Sequence, residues 1–131
     1  MAFLLDTTVA IRLRDGDPMV TQGVVALKGA VLISVVTRVE LEGGVYREPA
    51  QAPARRARLD TLLSAIPALA FDDLAAETHG DIVASAGYSR RKLLDRMIAA
   101  QALVHRATLV TFNQDDFSDV PGLSLLVWPS K

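Results

Sequence analysis

Cysteine is absent from the 131 residues, so the chain cannot build a disulfide frame, a Cys-ligated zinc, an iron–sulfur cluster or a thiol nucleophile. A reducing compartment suits such a chain, and a cytoplasmic location is the expectation. Charge of one sign is also lacking. Fourteen basic residues stand against 15 acidic ones, a formal net charge of −1, which gives no overall pull toward nucleic acid or an anionic membrane. Long apolar runs are missing as well: Phe3-Leu4-Leu5 stops at Asp6, too short for a signal peptide or a membrane span. No membrane partner is expected. No GxxxxGK[ST] phosphate loop, no GxGxxG fingerprint after a strand and no HExxH zinc motif occurs, which removes three common enzyme classes.

What is present is apolar and regular. Half the residues are hydrophobic and mean hydropathy is +0.27, which excludes disorder as the general state. The length fits one domain over residues 1–131, able to bury roughly 65–70% of the surface its unfolded chain would expose. Continuous apolar runs bounded by polar residues predict buried parallel strands at 2–5, 30–33, 68–71, 107–110 and 123–127. Helices are expected between them. Asp17-Pro18 starts one and Gly29 stops it; Ser34 caps another, running to about Val45. A loop at 48–53 precedes a helix from about Ala54 to Ala65, Asp72 or Asp73 caps a helix to about Ala86, and a further helix begins near Leu94. Strands alternating with helical segments imply βαβ units: an α/β fold, one domain, with a mainly parallel central sheet of about five short strands flanked by helices.

In an open parallel sheet, chemistry collects outside the carboxyl ends of the strands. Asp6 follows the first predicted strand at once. Glu40 lies early in the helix after the second, Asp95 opens the helix leading into the fourth, and Asp115 and Asp116 follow the fourth beyond Thr111 and Asn113. Each acid alone has an ordinary explanation as a helix cap, a solvated residue or a polar turn. Together, acids at several strand outlets repel one another unless a cation or protons intervene. Hard Mg²⁺, or Mn²⁺, held by a few carboxylates and several waters, suits such an all-oxygen site.

Four segments carry a family resemblance: Leu5-Asp6-Thr7; Ser34 to Gly44, matching S-x-x-T-x-x-E-L-x-x-G; Asp95 to Ala100, matching D-x-x-I-A-A; and Thr111 to Phe117, matching T-x-N-x-x-D-F. In this order they resemble the PIN-domain ribonucleases, specifically the VapC-type toxins of bacterial toxin–antitoxin pairs, over essentially the whole chain. The resemblance implies an acidic site of Asp6, Glu40, Asp95 and Asp116, with Thr7 and Thr111 as polar accessories and Asn113 holding geometry. Spacing before Phe117 favours Asp116 over Asp115. Phe112 departs from the pattern, since members often carry a basic residue there.

The resemblance also implies Mg²⁺-dependent hydrolysis of transfer or ribosomal RNA that stops translation. In that chemistry Asp6 and Asp95 would bind metal most directly, with Glu40 and Asp116 acting through water or a second ion. A homodimer and a cognate antitoxin that covers the site are implied too.

RNA requires positive charge beside the acids. Arg90-Arg91-Lys92, just before Asp95, is the first candidate, and Arg55, Arg56 and Arg58 form a second cluster. His79 and His105 lie away from the motifs and are expected to be structural or surface residues. Trp128, Tyr46 and Tyr88 offer faces for base stacking, although packing explains them equally. Two other functions compete. A phosphoacceptor signalling domain would want paired acids after the first strand, an acceptor Asp after the third and a lysine after the fifth, whereas Asp6 stands alone and no lysine precedes Lys131 in the last segment. A catalytically silent PIN-fold binding module would not need all the motif acids.

Overall fold

Leu4, Leu5, Ile33, Leu109 and Val110 are wholly buried, as expected of parallel strands covered by helices on both faces. The computed structural model describes residues 1–130. In chain order they form β1 (Ala2–Leu5), α1 (Thr7–Arg14), α2 (Pro18–Ala26), β2 (Ala30–Ser34), α3 (Val35–Val45), α4 (Ala52–Ala65), β3 (Ala68–Leu69), α5 (Asp73–Ala86), α6 (Leu93–Val104), β4 (Thr108–Thr111) and β5 (Leu125–Val127). The strands make one sheet in the order β3-β2-β1-β4-β5, and all four pairings are parallel.

Alternation along β1 divides the core. Phe3 and Leu5 join Val9, Ile33, Leu41, Leu59 and Val110 on one face, while Leu4 joins Ile98, Ala99, Leu109 and Phe117 on the other. The chain moves outward from β1 through β2 to β3, then crosses back to β4 on the other side of β1. That reversal opens a crevice at the carboxyl ends of β1 and β4, where Asp6 and the residues after Thr111 emerge.

The expected α/β architecture is the one found. Boundaries shift for local reasons. β3 ends at Leu69 rather than Phe71, because it is an edge strand with β2 alone beside it, registered as Ile33 to Ala68 and Ser34 to Leu69. α4 begins at Ala52 rather than Ala54, since Pro53 is tolerated in a first turn, where its missing N–H would have no partner; a 3₁₀ turn, Pro49–Gln51, leads into it. β4 occupies 108–111 instead of 107–110, β5 shortens to 125–127, and α6 starts at Leu93. Among the described residues no helix is long and apolar enough to cross a membrane.

Candidate active site

Asp6 performs two tasks with two oxygens. As N-cap of α1 its Oδ1 accepts from the Val9 N–H at 2.9 Å, satisfying one of the donors a helix start leaves open. Its Oδ2 accepts from the Thr111 hydroxyl at 2.5 Å. The same hydroxyl oxygen accepts from the Asn113 N–H at 3.1 Å, and the Asn113 side-chain amide donates to Asp116 Oδ2 at 2.9 Å. One polar chain thus runs from the end of β1 through the end of β4 to Asp116.

An open cavity of about 420 Å³ lies beside this chain, with Asp6, Asp95 and Asp116 on its wall together with Thr7, Arg12 and Asn113. Asp95 reaches it from the first turn of α6, where the helix dipole favours an acid. Asp115 is exposed and outside that wall; its N–H donates to Asn113 Oδ1 at 3.2 Å within a 3₁₀ turn. Glu40 borders a neighbouring recess instead, whose wall Thr7 shares. The Thr7 hydroxyl donates to Glu40 Oε1 at 2.7 Å and lies 3.0 Å from the Thr37 hydroxyl, linking α1 to α3.

Crowded carboxylates show their repulsion in their proton affinity. Burial, then the charges of Asp116, Asp6 and Glu40, push Asp95 up to about 6, against a smaller opposing pull from Arg91. Burial raises Asp6 as well, with hydrogen bonds from Thr111 and Val9 opposing the shift. Among the described residues no three Asp, Glu or His side chains are grouped closely enough to hold one ion between them. A cation here would take one or two carboxylates and complete its shell with water, the habit of Mg²⁺ rather than of zinc. The all-oxygen donors and their mutual repulsion fit such an ion.

The basic residues divide. Arg90 and Arg91 are exposed just before α6. Lys92, expected beside them as an RNA contact, places Nζ 3.0 Å from Asp119 Oδ2, which also accepts from Arg96 Nη2 at 2.9 Å. Arg96, 2% exposed, donates its other arm to the Gly87 carbonyl, so the group fastens the loop before α6 to the turn after β4. In the second cluster Arg55 binds the Gly44 carbonyl and Glu48, and Arg56 binds Glu42 and Asp60; Arg58 is exposed. His79 lies within α5 and His105 caps the end of α6, both away from the acidic cavity.

Sequence reading missed Arg12. Its guanidinium lies 4.3 Å from the centroid of the Phe112 ring, so a cation stands beside the position where the resemblance lacked one. It also missed Gln101, buried in α6, which accepts from Ser34 Oγ and donates to the carbonyls of Leu69 and Ala70 at 3.1 Å each. No local signal marks either residue, because their partners are remote in sequence. The phosphoacceptor alternative loses ground at β3. That strand lies at the sheet's edge, and Asp72 beyond it is occupied in capping α5 through the Ala75 N–H at 2.9 Å.

Comparison with known proteins gives the same fold and a consistent set of relatives. The family model described as PIN domain matches residues 3–123. A tRNA(fMet)-specific endonuclease VapC of Shigella flexneri is 32% identical over 132 residues, spanning 98% of this chain and 98% of that protein. The structure of VapBC-5, a member of the VapBC family of toxin–antitoxin systems from Mycobacterium tuberculosis, aligns with a TM-score of 0.69 at 28% identity, covering 98% of both chains. VapBC2 of Rickettsia felis, solved bound to a DNA fragment from its promoter, aligns with a TM-score of 0.85 at 24% identity over 98% of this chain and 99% of that one.

Proposed function

Since the chain belongs to the PIN-domain family, we propose that it is an endoribonuclease toxin of the VapC type, which hydrolyses RNA phosphodiesters with a divalent cation and is neutralised by a cognate antitoxin. The observation that carries this reading is the convergence of Asp6, Asp95 and Asp116 on one cavity at the sheet's reversal point, with Asp6 and Asp116 linked through Thr111 and Asn113. Transfer or ribosomal RNA is the proposed substrate, with arrest of translation as the consequence. The named specificity of the Shigella flexneri relative supports the transfer RNA choice. Cytoplasmic action as a homodimer completes the proposal.

Asp6 and Asp95 would hold Mg²⁺, or Mn²⁺, most directly. Such an ion supplies two things when bound: a lowered pKa for an attacking water and compensation for charge on the phosphoryl oxygens. The protein's part is positioning. Asp6 cannot rotate away, because Val9 and Thr111 hold its two oxygens. Asn113 holds Asp116 at the cavity, and Thr7 orients Glu40 at the neighbouring recess; both acids would act through water. Arg90 and Arg91 would draw the RNA backbone toward an otherwise acidic opening, while Lys92 acts mainly by holding Asp119. The Asp6→Asn variant tests the assignment. It keeps size and a cap acceptor but loses the charge, so cleavage of total cellular RNA in Mg²⁺ should fall by about a hundredfold or more. Wild-type cleavage by Asp6→Asn would overturn the proposal.

A further inference from the structure

Beside the acidic cavity lies a smaller pocket of about 240 Å³, whose mainly apolar wall includes Met19, Val20, Gly23, Phe112 and Trp128, together with Asp17, whose carboxylate is engaged in capping α2. The two openings share Arg12, Phe112 and Ser130. We infer that this pocket is a nucleobase subsite: it takes the base of a nucleotide flanking the scissile phosphate, while Arg12, standing between the openings, holds the adjoining phosphate. The inference rests on the RNA-cleavage reading and adds to it the residues that would seat the substrate.

The position of Phe112 is the first ground. It lies between Thr111, which holds Asp6, and Asn113, which holds Asp116, and lines the acidic cavity as well as the pocket, so the residue stands beside the proposed reacting centre. Trp128 is the second. Its backbone N–H donates to the Thr111 carbonyl at 2.9 Å, carrying the residue from the end of β5 to the same crevice. Its indole packs over Gly23 of α2, where an added Cβ would meet ring carbons at 2.9 and 3.0 Å; only a missing side chain lets the helix approach so closely. Two aromatic residues in one pocket suit a flat base, and base–aromatic stacking tolerates every base because each has a π-face.

Arg12 supplies what a purely apolar hole would lack. Its guanidinium lies over Phe112, and Nη1 donates to the Ser130 carbonyl at 2.8 Å, which fixes the plane of the group. A guanidinium carries five N–H donors, and a fork of that shape matches phosphate oxygens. A cation between a stacking pocket and an acidic cavity fits a nucleotide laid across both, with its base in one and its phosphate toward the other.

The chain has a single tryptophan, so its emission reports on this pocket. Wild-type protein in Mg²⁺ is titrated with AMP, CMP and ribose 5-phosphate. Saturable quenching by both nucleotides, at least about tenfold stronger than by ribose 5-phosphate, is the expected result. Equal responses to all three, or none, would overturn the subsite. Cleavage kinetics on a short RNA run alongside. Phe112→Leu should raise KM by about tenfold with kcat within about twofold, and Phe112→Tyr should restore wild-type KM. Should Phe112→Leu not fold, Arg12→Gln takes its place, with the same rise in KM and a shallower salt dependence. If Asp6→Asn is inactive while these variants keep wild-type KM and salt dependence, the subsite is wrong and the ribonuclease reading stands. If Asp6→Asn cleaves normally, the ribonuclease reading is wrong and the nucleotide titration alone judges the pocket.

Discussion

Thr111 is the residue on which the acidic arrangement turns. The hydroxyl of this wholly buried residue, at the end of β4, donates to Asp6 and accepts from the Asn113 N–H. Thr111→Val keeps the shape and removes both bonds, leaving a carboxylate oxygen and an N–H without their partner. Stability should fall by about 1–3 kcal/mol, the usual cost of stranding buried polar groups, as read by urea denaturation. Cleavage should fall by about 10–100-fold, the range seen when an outer partner of a metal-binding side chain is lost. Thr111→Ser should recover most of both. An active Thr111→Val enzyme would show that Asp6 needs no such tether. Asp6 also illustrates how two readings of one residue can both hold: it caps α1 with one oxygen, accepts from Thr111 with the other and still lines the cavity, so the local explanation never excluded the chemical one.

At the scale of elements, Gln101 adds a polar cross-link between α6, the end of β2 and the segment leaving β3. From α6 it grips the carbonyls of Leu69 and Ala70, and it accepts from Ser34, whose oxygen also caps α3 through the Val36 N–H at 2.9 Å. The helix that carries Asp95 and the helix that carries Glu40 are thereby referenced to one edge of the sheet. Gln101→Leu, of similar size, should cost about 1–3 kcal/mol in thermal or urea unfolding by leaving those carbonyls unsatisfied. Unchanged stability would mean that water replaces the amide.

Such cross-links were invisible in the sequence. A serine 67 residues from its glutamine partner leaves no periodic trace, and the same holds for Arg12 with Ser130, 118 residues apart. Caps and apolar runs are local, which is why the strands, the proline-started helices and the acids at strand outlets were legible. The extent of β3 was not, because an edge strand ends where its one neighbour stops pairing. The fate of Lys92 was hidden for a related reason: its partner, Asp119, lies 27 residues onward in a turn whose path only the fold defines.

For the whole molecule, the near-balance of charge conceals an acidic opening whose carboxylates are disfavoured in their charged form, first by burial and then by one another's charge, which opposes folding in the absence of a cation. Asp95 binds its proton more tightly folded than unfolded, with a pKa raised from the ordinary 3.8 to about 6, and Asp6 is shifted in the same direction. Across that window the folded state therefore carries more protons, and stability declines as pH rises toward 6 and levels above it. Glu42 and Asp119 work the other way. Arg56 holds the first below the ordinary carboxylate range, and Lys92 and Arg96 hold the second there, so their contributions disappear only at more acidic pH. The metal-free protein in EDTA should accordingly melt higher near pH 5 than at pH 7.5, then lose stability on further acidification. Asp95→Asn should flatten the rise between pH 7.5 and 5 and raise the melting temperature at pH 7.5, even though the same variant loses cleavage. Added Mg²⁺ should stabilise the wild type at pH 7.5 through binding to the folded state alone, and much less at pH 5, where protons compete for the same oxygens. A metal-free melting temperature that rises steadily from pH 5 to 7.5 would mean that burial and mutual repulsion do not destabilise the cavity's charged carboxylates.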